Sequence, residues 1–129
     1  MKMKKLLFTL SVLTLISCKK EEEKDSLYPE KQLSAAEKQL QLGDEIFNGK
    51  GMCYSCHKPD QKVIGPSIKQ IAEIYKAKNA DIKLFLQEKS DPIVDPSQYS
   101  VMKTNFSITK TFSDEELKAI EAYFFSHLK

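Results

Sequence analysis

The sequence predicts an all-α domain of about four helices, with the first and last packed against each other. Two Ser-x-x-Glu boxes, one at Ser34 and Glu37 and one at Ser113 and Glu116, mark helix starts near either end of residues 34–129. In such a box the serine oxygen accepts an amide hydrogen of the first turn, and the glutamate reaches back to the cap amide. Between the boxes, Ile68, Ile71, Ala72 and Tyr75 recur at helical spacing. The third observation is Cys53-Tyr54-Ser55-Cys56-His57, two thiols three positions apart with an imidazole directly behind them.

In chain order, Lys2, Lys4 and Lys5 precede an apolar run of 11 residues at 6–16. A bilayer takes about 20 residues to cross, so this run reads as a secretory signal. Leu15-Ile16-Ser17-Cys18 resembles the lipobox of bacterial lipoproteins, which implies cleavage of residues 1–17 and a lipid on Cys18. Residues 18–33 then form a charged tether, too poor in apolar side chains to offset the entropy of ordering. Such a chain reaches about 50 Å when extended and spans roughly 20 Å when flexible. Its block Lys19-Lys20-Glu21-Glu22-Glu23 reads as a solvated spacer, and it also resembles signals that send some lipoproteins to the outer face of the outer membrane. The expected location is outside the cytoplasm, lipid-anchored to a membrane and facing the periplasm or the cell surface.

A first helix from about 35 to 47 places Ala36, Leu40, Gly43 and Phe47 on one face, and Gly49 and Gly51 stop it. Gly43 costs about 1 kcal/mol relative to alanine inside a helix, which implies that another backbone passes close by. The cysteine motif follows. In a Cys-x-x-Cys-His run each thiol can add to one vinyl group of a porphyrin while the histidine ligates its iron, so the pattern is the attachment sequence of a c-type haem. A zinc site would need four ligands, and the only other cysteine and histidine are Cys18 and His127. A redox dithiol expects a strand and helix pattern that this region lacks. Haem attachment is completed on reduced thiols outside the cytoplasm, which agrees with the export signal, and the cysteines divide without remainder into one for lipid and two for haem.

Residues 58–63 form a polar loop, after which Pro66 at the first helical position opens the helix that carries Ile68 and Tyr75. A short helix after Asn79 buries Ile82, Phe85 and Leu86 and fades by Ser90. Residues 91–110 show little periodicity, with Pro92 and Pro96 enforcing extended backbone, and a loop of this length in a small domain is usually functional. The last helix runs to about 128, with Leu117, Ile120, Tyr123 or Phe124, and Leu128 as its apolar stripe. Gly43 would admit a large side chain from it, such as Tyr123. For a second axial ligand to the iron, the residues leave Met102, Lys103 and His127 open, while Met52 adjoins Cys53 and is badly placed for the opposite face. At the end of the last helix His127 is also a simple partner for the helix dipole.

Over residues 34–129 the chain resembles the class I cytochromes c, in its haem motif, in Gly65-Pro66, in Met102 on a loop before the last helix and in the paired terminal helices. The resemblance implies a cytochrome c fold with crossed terminal helices around one haem. It also implies that the Pro66 carbonyl holds the Nδ1 hydrogen of His57, that Ile68 lines the haem pocket and that Met102 is the distal ligand. Val101 and Lys103 flank Met102 where the family often has a proline. The function implied is that of a single-electron carrier, not an enzyme, between redox-protein donors and acceptors, either as a free shuttle or as an anchored subunit of a respiratory membrane complex. A haem-based sensor or small-ligand binding protein with an open distal site is the competing reading.

The formal charge of +2 belongs to the uncleaved chain; without residues 1–17 there remain 17 lysines against 18 acids, and residues 34–129 hold 13 of each. A balanced domain offers no nucleic-acid footprint. No acid, base or nucleophile outside the ligand set points to a small-molecule substrate. Lys50, Lys58, Lys62, Lys103 and Lys110 flank the haem motif and the methionine loop, which predicts a basic rim that meets acidic partners.

Overall fold

In the computed structural model, residues 32–128 are described; the signal segment, Cys18 and the tether up to Lys31 lie outside the described residues. Among the described residues six α-helices follow one another: α1 (Ala35–Asn48), α2 (Ile68–Ala77), α3 (Ile82–Leu86), α4 (Tyr99–Met102), α5 (Phe106–Thr109) and α6 (Asp114–Ser126). Among the described residues there is no strand, only an isolated bridge between His57 and Lys62. No described helix is long and apolar enough to cross a membrane.

Both capping boxes form. The Ser34 amide donates to Glu37 Oε2 at 2.8 Å and the Glu37 amide to Ser34 Oγ at 3.2 Å; the Ser113 and Glu116 pair repeats this at 2.9 and 3.3 Å. The helices they open are the frame of the domain. Phe47 of α1 lies 5.2 Å from Tyr123 and 6.0 Å from Phe124 of α6, ring centre to ring centre. Gly43 lets the backbones meet, because a Cβ there would stand 2.2 Å from the Ala119 carbonyl oxygen and 2.6 Å from Tyr123 Cβ. The backbone of α6, more than the Tyr123 side chain, is therefore what the glycine admits. The buried face of α1 is also rotated from the expected one: Ile46 is buried beside Phe47, whereas Ala36 is exposed.

Helix α2 buries Ile68, Ile71, Ala72 and Tyr75, the four positions marked by their spacing. Its start differs from the expectation. Ser67 is the cap, accepting from the Gln70 amide at 3.1 Å, so Pro66 precedes the helix instead of opening it and its carbonyl is left to face elsewhere. Helix α3 is capped by Asp81, which accepts from the Lys83 and Leu84 amides, and it buries Ile82 and Leu86.

The segment expected to be an irregular loop is largely helical. From Pro96 to Thr109 it runs through a 3-10 turn, α4, a second 3-10 turn and α5. Ser97 Oγ donates to Asp95 Oδ1 at 2.6 Å and the Gln98 amide to the Asp95 carbonyl at 3.1 Å, which turns the chain at Pro96. Phe106 is buried, and the fully buried Thr109 hydroxyl donates to the Leu86 carbonyl at 2.6 Å. Turns of four residues are too short to print a period in the sequence.

Candidate functional site

Between α2, α3 and the segment before α5 lies a cavity of about 270 Å³ whose wall is mostly apolar, with Ile71, Tyr75, Ile82 and Leu86 among its lining. Cys53, Cys56, His57, Pro66 and Met102 also line it. Of the domain residues that the resemblance assigns to the haem site, all but one thus come to a single place. The exception is Ile68, which is completely buried in the core and is not among the lining residues; Ile71 and Tyr75 of the same helix take that position.

Cys53 opens a 3-10 turn, Cys53–Ser55, that closes on Cys56 and His57: both the Cys56 amide, at 3.1 Å, and the His57 amide, at 2.9 Å, donate to the Cys53 carbonyl. The turn sets both sulfurs and the imidazole along one wall. No disulfide joins Cys53 and Cys56. Burial pushes the Cys53 thiol up to about 11, which keeps it neutral and discounts an activated redox dithiol. Among the described residues no group of three or more His, Cys, Asp or Glu side chains could hold a metal ion by itself, so the zinc alternative has no support there.

His57 Nδ1 lies 2.7 Å from the Pro66 carbonyl oxygen. A carbonyl only accepts, so Nδ1 carries the hydrogen and Nε2 keeps its lone pair for a metal. Burial holds the His57 pKa below its usual value despite the Pro66 contact, which also favours the neutral, ligating form. The ring rests on Gly65, where a Cβ would come within 2.5 Å of His57 Cε1 and 2.8 Å of Nδ1. The sequence marked Gly65 only as the partner of Pro66; the reason it must lack a side chain appears in three dimensions.

Met102, at the end of α4, is half-buried and packs on the core. The competing ligands do not line the cavity. Lys103 pairs with Glu88 at 3.3 Å and lies over the Tyr99 ring. His127 sits against Tyr123 at 5.0 Å beyond the end of α6. Met52 does reach the lining, next to Cys53, but remains half-exposed. Two ties that the sequence did not signal fix the Met102 segment. Asn105 Nδ2 donates to the Gly51 carbonyl at 3.1 Å, joining it to the loop before the motif. Glu88, at the end of the turn after α3, receives both Lys103 and Lys110.

The donor set suits a covalently held haem: two thiols, one imidazole with a free Nε2, a thioether and an apolar chamber between them. The expected basic rim is largely tied up in ion pairs. Lys50 is paired with Glu116, Lys62 with Asp95 at 2.7 Å, and Lys103 and Lys110 share Glu88, so four of the five lysines meet three acids and the excess charge is reduced to one among them. The family model described as Cytochrome c matches residues 40–127. A search of the curated proteins finds no match.

Proposed function

Because the chain belongs to the cytochrome c family, we propose that it is a single-electron carrier whose haem is ligated by His57 and Met102 and which is anchored to a membrane through Cys18. Its cofactor is haem c, and haem-based electron transfer is the function its domain indicates. When bound, the haem supplies an iron that takes up and releases one electron. The chain's own residues do the rest. Cys53 and Cys56 tether the group through thioethers, Pro66 fixes the His57 tautomer, and Gly65 gives the ring its seat. Met102 offers a thioether, which favours the reduced state. The apolar lining excludes water, so the surroundings of the iron reorganise little when its charge changes.

The observation that carries this reading is that His57 and Met102, 45 positions apart in the chain, line one cavity with both motif cysteines. Optical spectra of the purified haem-loaded protein test it. The expected result is low-spin iron with the weak far-red methionine-to-iron band, unchanged by carbon monoxide; high-spin iron that takes up carbon monoxide readily would favour a sensor. The anchor is tested separately. Cys18→Ser should move the protein from the membrane fraction to the soluble one, and retention on the membrane would count against a lipid at that position. The redox-protein partners implied by the family would then be met at a membrane surface outside the cytoplasm.

A further inference from the structure

Helix α3 ends through a left-handed residue that is not a glycine. The Glu88 amide donates to the Phe85 carbonyl at 2.8 Å and the Lys89 amide to the Leu84 carbonyl at 2.8 Å, the pair of bonds that closes a helix C-terminus around a residue of positive φ. Glu88 is that residue, with φ 57°. Glycine adopts this conformation freely, whereas a side chain there brings Cβ too near the following carbonyl oxygen. A glutamate is therefore a strained choice at this position. Strain of this kind persists where the surroundings hold the residue in place, and it gathers at functional sites.

The Glu88 side chain meets two cations. Its Oε1 lies 3.3 Å from Lys103 Nζ, and its Oε2 accepts from Lys110. Lys103 directly follows Met102 and Lys110 directly follows α5, so one carboxylate holds the segment 103–110 at both ends. Lys103 Nζ also stands 5.9 Å from the centre of the Tyr99 ring at the start of α4, which extends the hold to the helix that carries Met102. The Thr109 hydroxyl donates to the Leu86 carbonyl, so the same end of α3 receives three ties from this segment. From the strained backbone and the two lysines gathered on it, we propose that Glu88 is a positioning residue that keeps Met102 in the cavity wall by tying the segment after it to the end of α3. Either ion pair alone, with its lysine about half exposed, contributes little. Joined through one carboxylate, the two act on both ends of a single segment. This inference rests on the reading that Met102 ligates the iron, and it adds what holds that residue in place.

The test is the rate at which the oxidised haem-loaded protein takes up imidazole at saturating concentration, read optically, because imidazole can enter only when Met102 leaves. Glu88→Gln keeps the length and the strain of the residue and removes its charge, whereas Glu88→Gly removes both the charge and the strain. Both variants should take up imidazole about fivefold faster than wild type at low salt, through the loss of two partly exposed ion pairs. Glu88→Gly should nevertheless unfold at a higher denaturant concentration than Glu88→Gln. The wild-type rate should rise about threefold between low salt and roughly 1 M salt, where the Debye length falls to about 3 Å, and the rates of the variants should not. Uptake at the wild-type rate in both variants would overturn the proposal. So would uptake that follows the unfolding midpoint, with Glu88→Gly behaving as wild type, or a wild-type rate indifferent to salt. Wild-type uptake as fast as that of Met102→Ala would instead remove the ligation by Met102 on which the proposal stands.

Discussion

At the scale of single residues, the imidazole of His57 is held from two sides. Pro66 accepts its Nδ1 hydrogen at 2.7 Å and Gly65 lies close against the ring. An added methyl at position 65 cannot be accommodated by a swing of the ring, because the hydrogen bond ties it down and a Cβ would sit 2.5 Å from Cε1. Gly65→Ala should therefore destabilise the haem-loaded protein by about 1–3 kcal/mol through overpacking. It should also raise the midpoint potential, since losing the Pro66 contact makes the imidazole a weaker donor. Thermal unfolding and a redox titration read the two effects, and no change in either would show that the seat is not tight. The motif and the Gly-Pro pair were legible as sequence. The contact between Gly65 and the ring was not, because it depends on the chain turning back across eight positions, from His57 to Gly65. Ile68 shows what spacing leaves open: its place on α2 was legible, whereas its complete burial, without a place in the cavity lining, came only with the packing.

At the scale of elements, α1 and α6 are close enough for backbone to touch backbone at Gly43. Alanine there would gain about 1 kcal/mol of helix propensity. Its Cβ would stand 2.2 Å from the Ala119 carbonyl oxygen, however, and that oxygen belongs to a helix that cannot yield as a side-chain tip would. Forcing the helices apart costs about 1–3 kcal/mol, so Gly43→Ala should lower stability on balance. The midpoint of chemical denaturation measures this, and an unchanged or raised midpoint would contradict the close approach. The two capped helices and the stripe of α2 were legible because capping boxes and the helical period are local properties of sequence. Helices α4 and α5 were not, being four residues each and stabilised by distant partners: Thr109 on the Leu86 carbonyl and Asn105 on the Gly51 carbonyl. Ion pairs such as Lys103 with Glu88 were equally hidden, and with them the reduction of positive charge beside the Met102 segment.

At the scale of the whole molecule, the cavity is part of the core. Without the group, about 270 Å³ of apolar space would stand open to water, and its lining would forgo the roughly 25 cal/mol per Å² that burying apolar surface contributes. Domains of this size are stable by about 5–15 kcal/mol in total. The haem is therefore a structural component as well as the electron carrier, and a Cys53→Ala, Cys56→Ala chain free of haem should lose its cooperative thermal transition and much of its helical circular dichroism. A haem-free chain melting at the temperature of the loaded one would show that the helices stand without it. What the sequence conveyed at this scale was the family and the presence of the group; how the side chains divide between core and cavity emerged only from the packing.

Whether His57 and Met102 together hold the iron is tested most directly by an optically followed redox titration of the haem-loaded wild type and Met102→Ala. Removing the thioether should abolish the far-red band and lower the midpoint potential, with the haem still covalently attached through Cys53 and Cys56. An unchanged potential and an unchanged spectrum would mean that Met102 lines the cavity without ligating the iron.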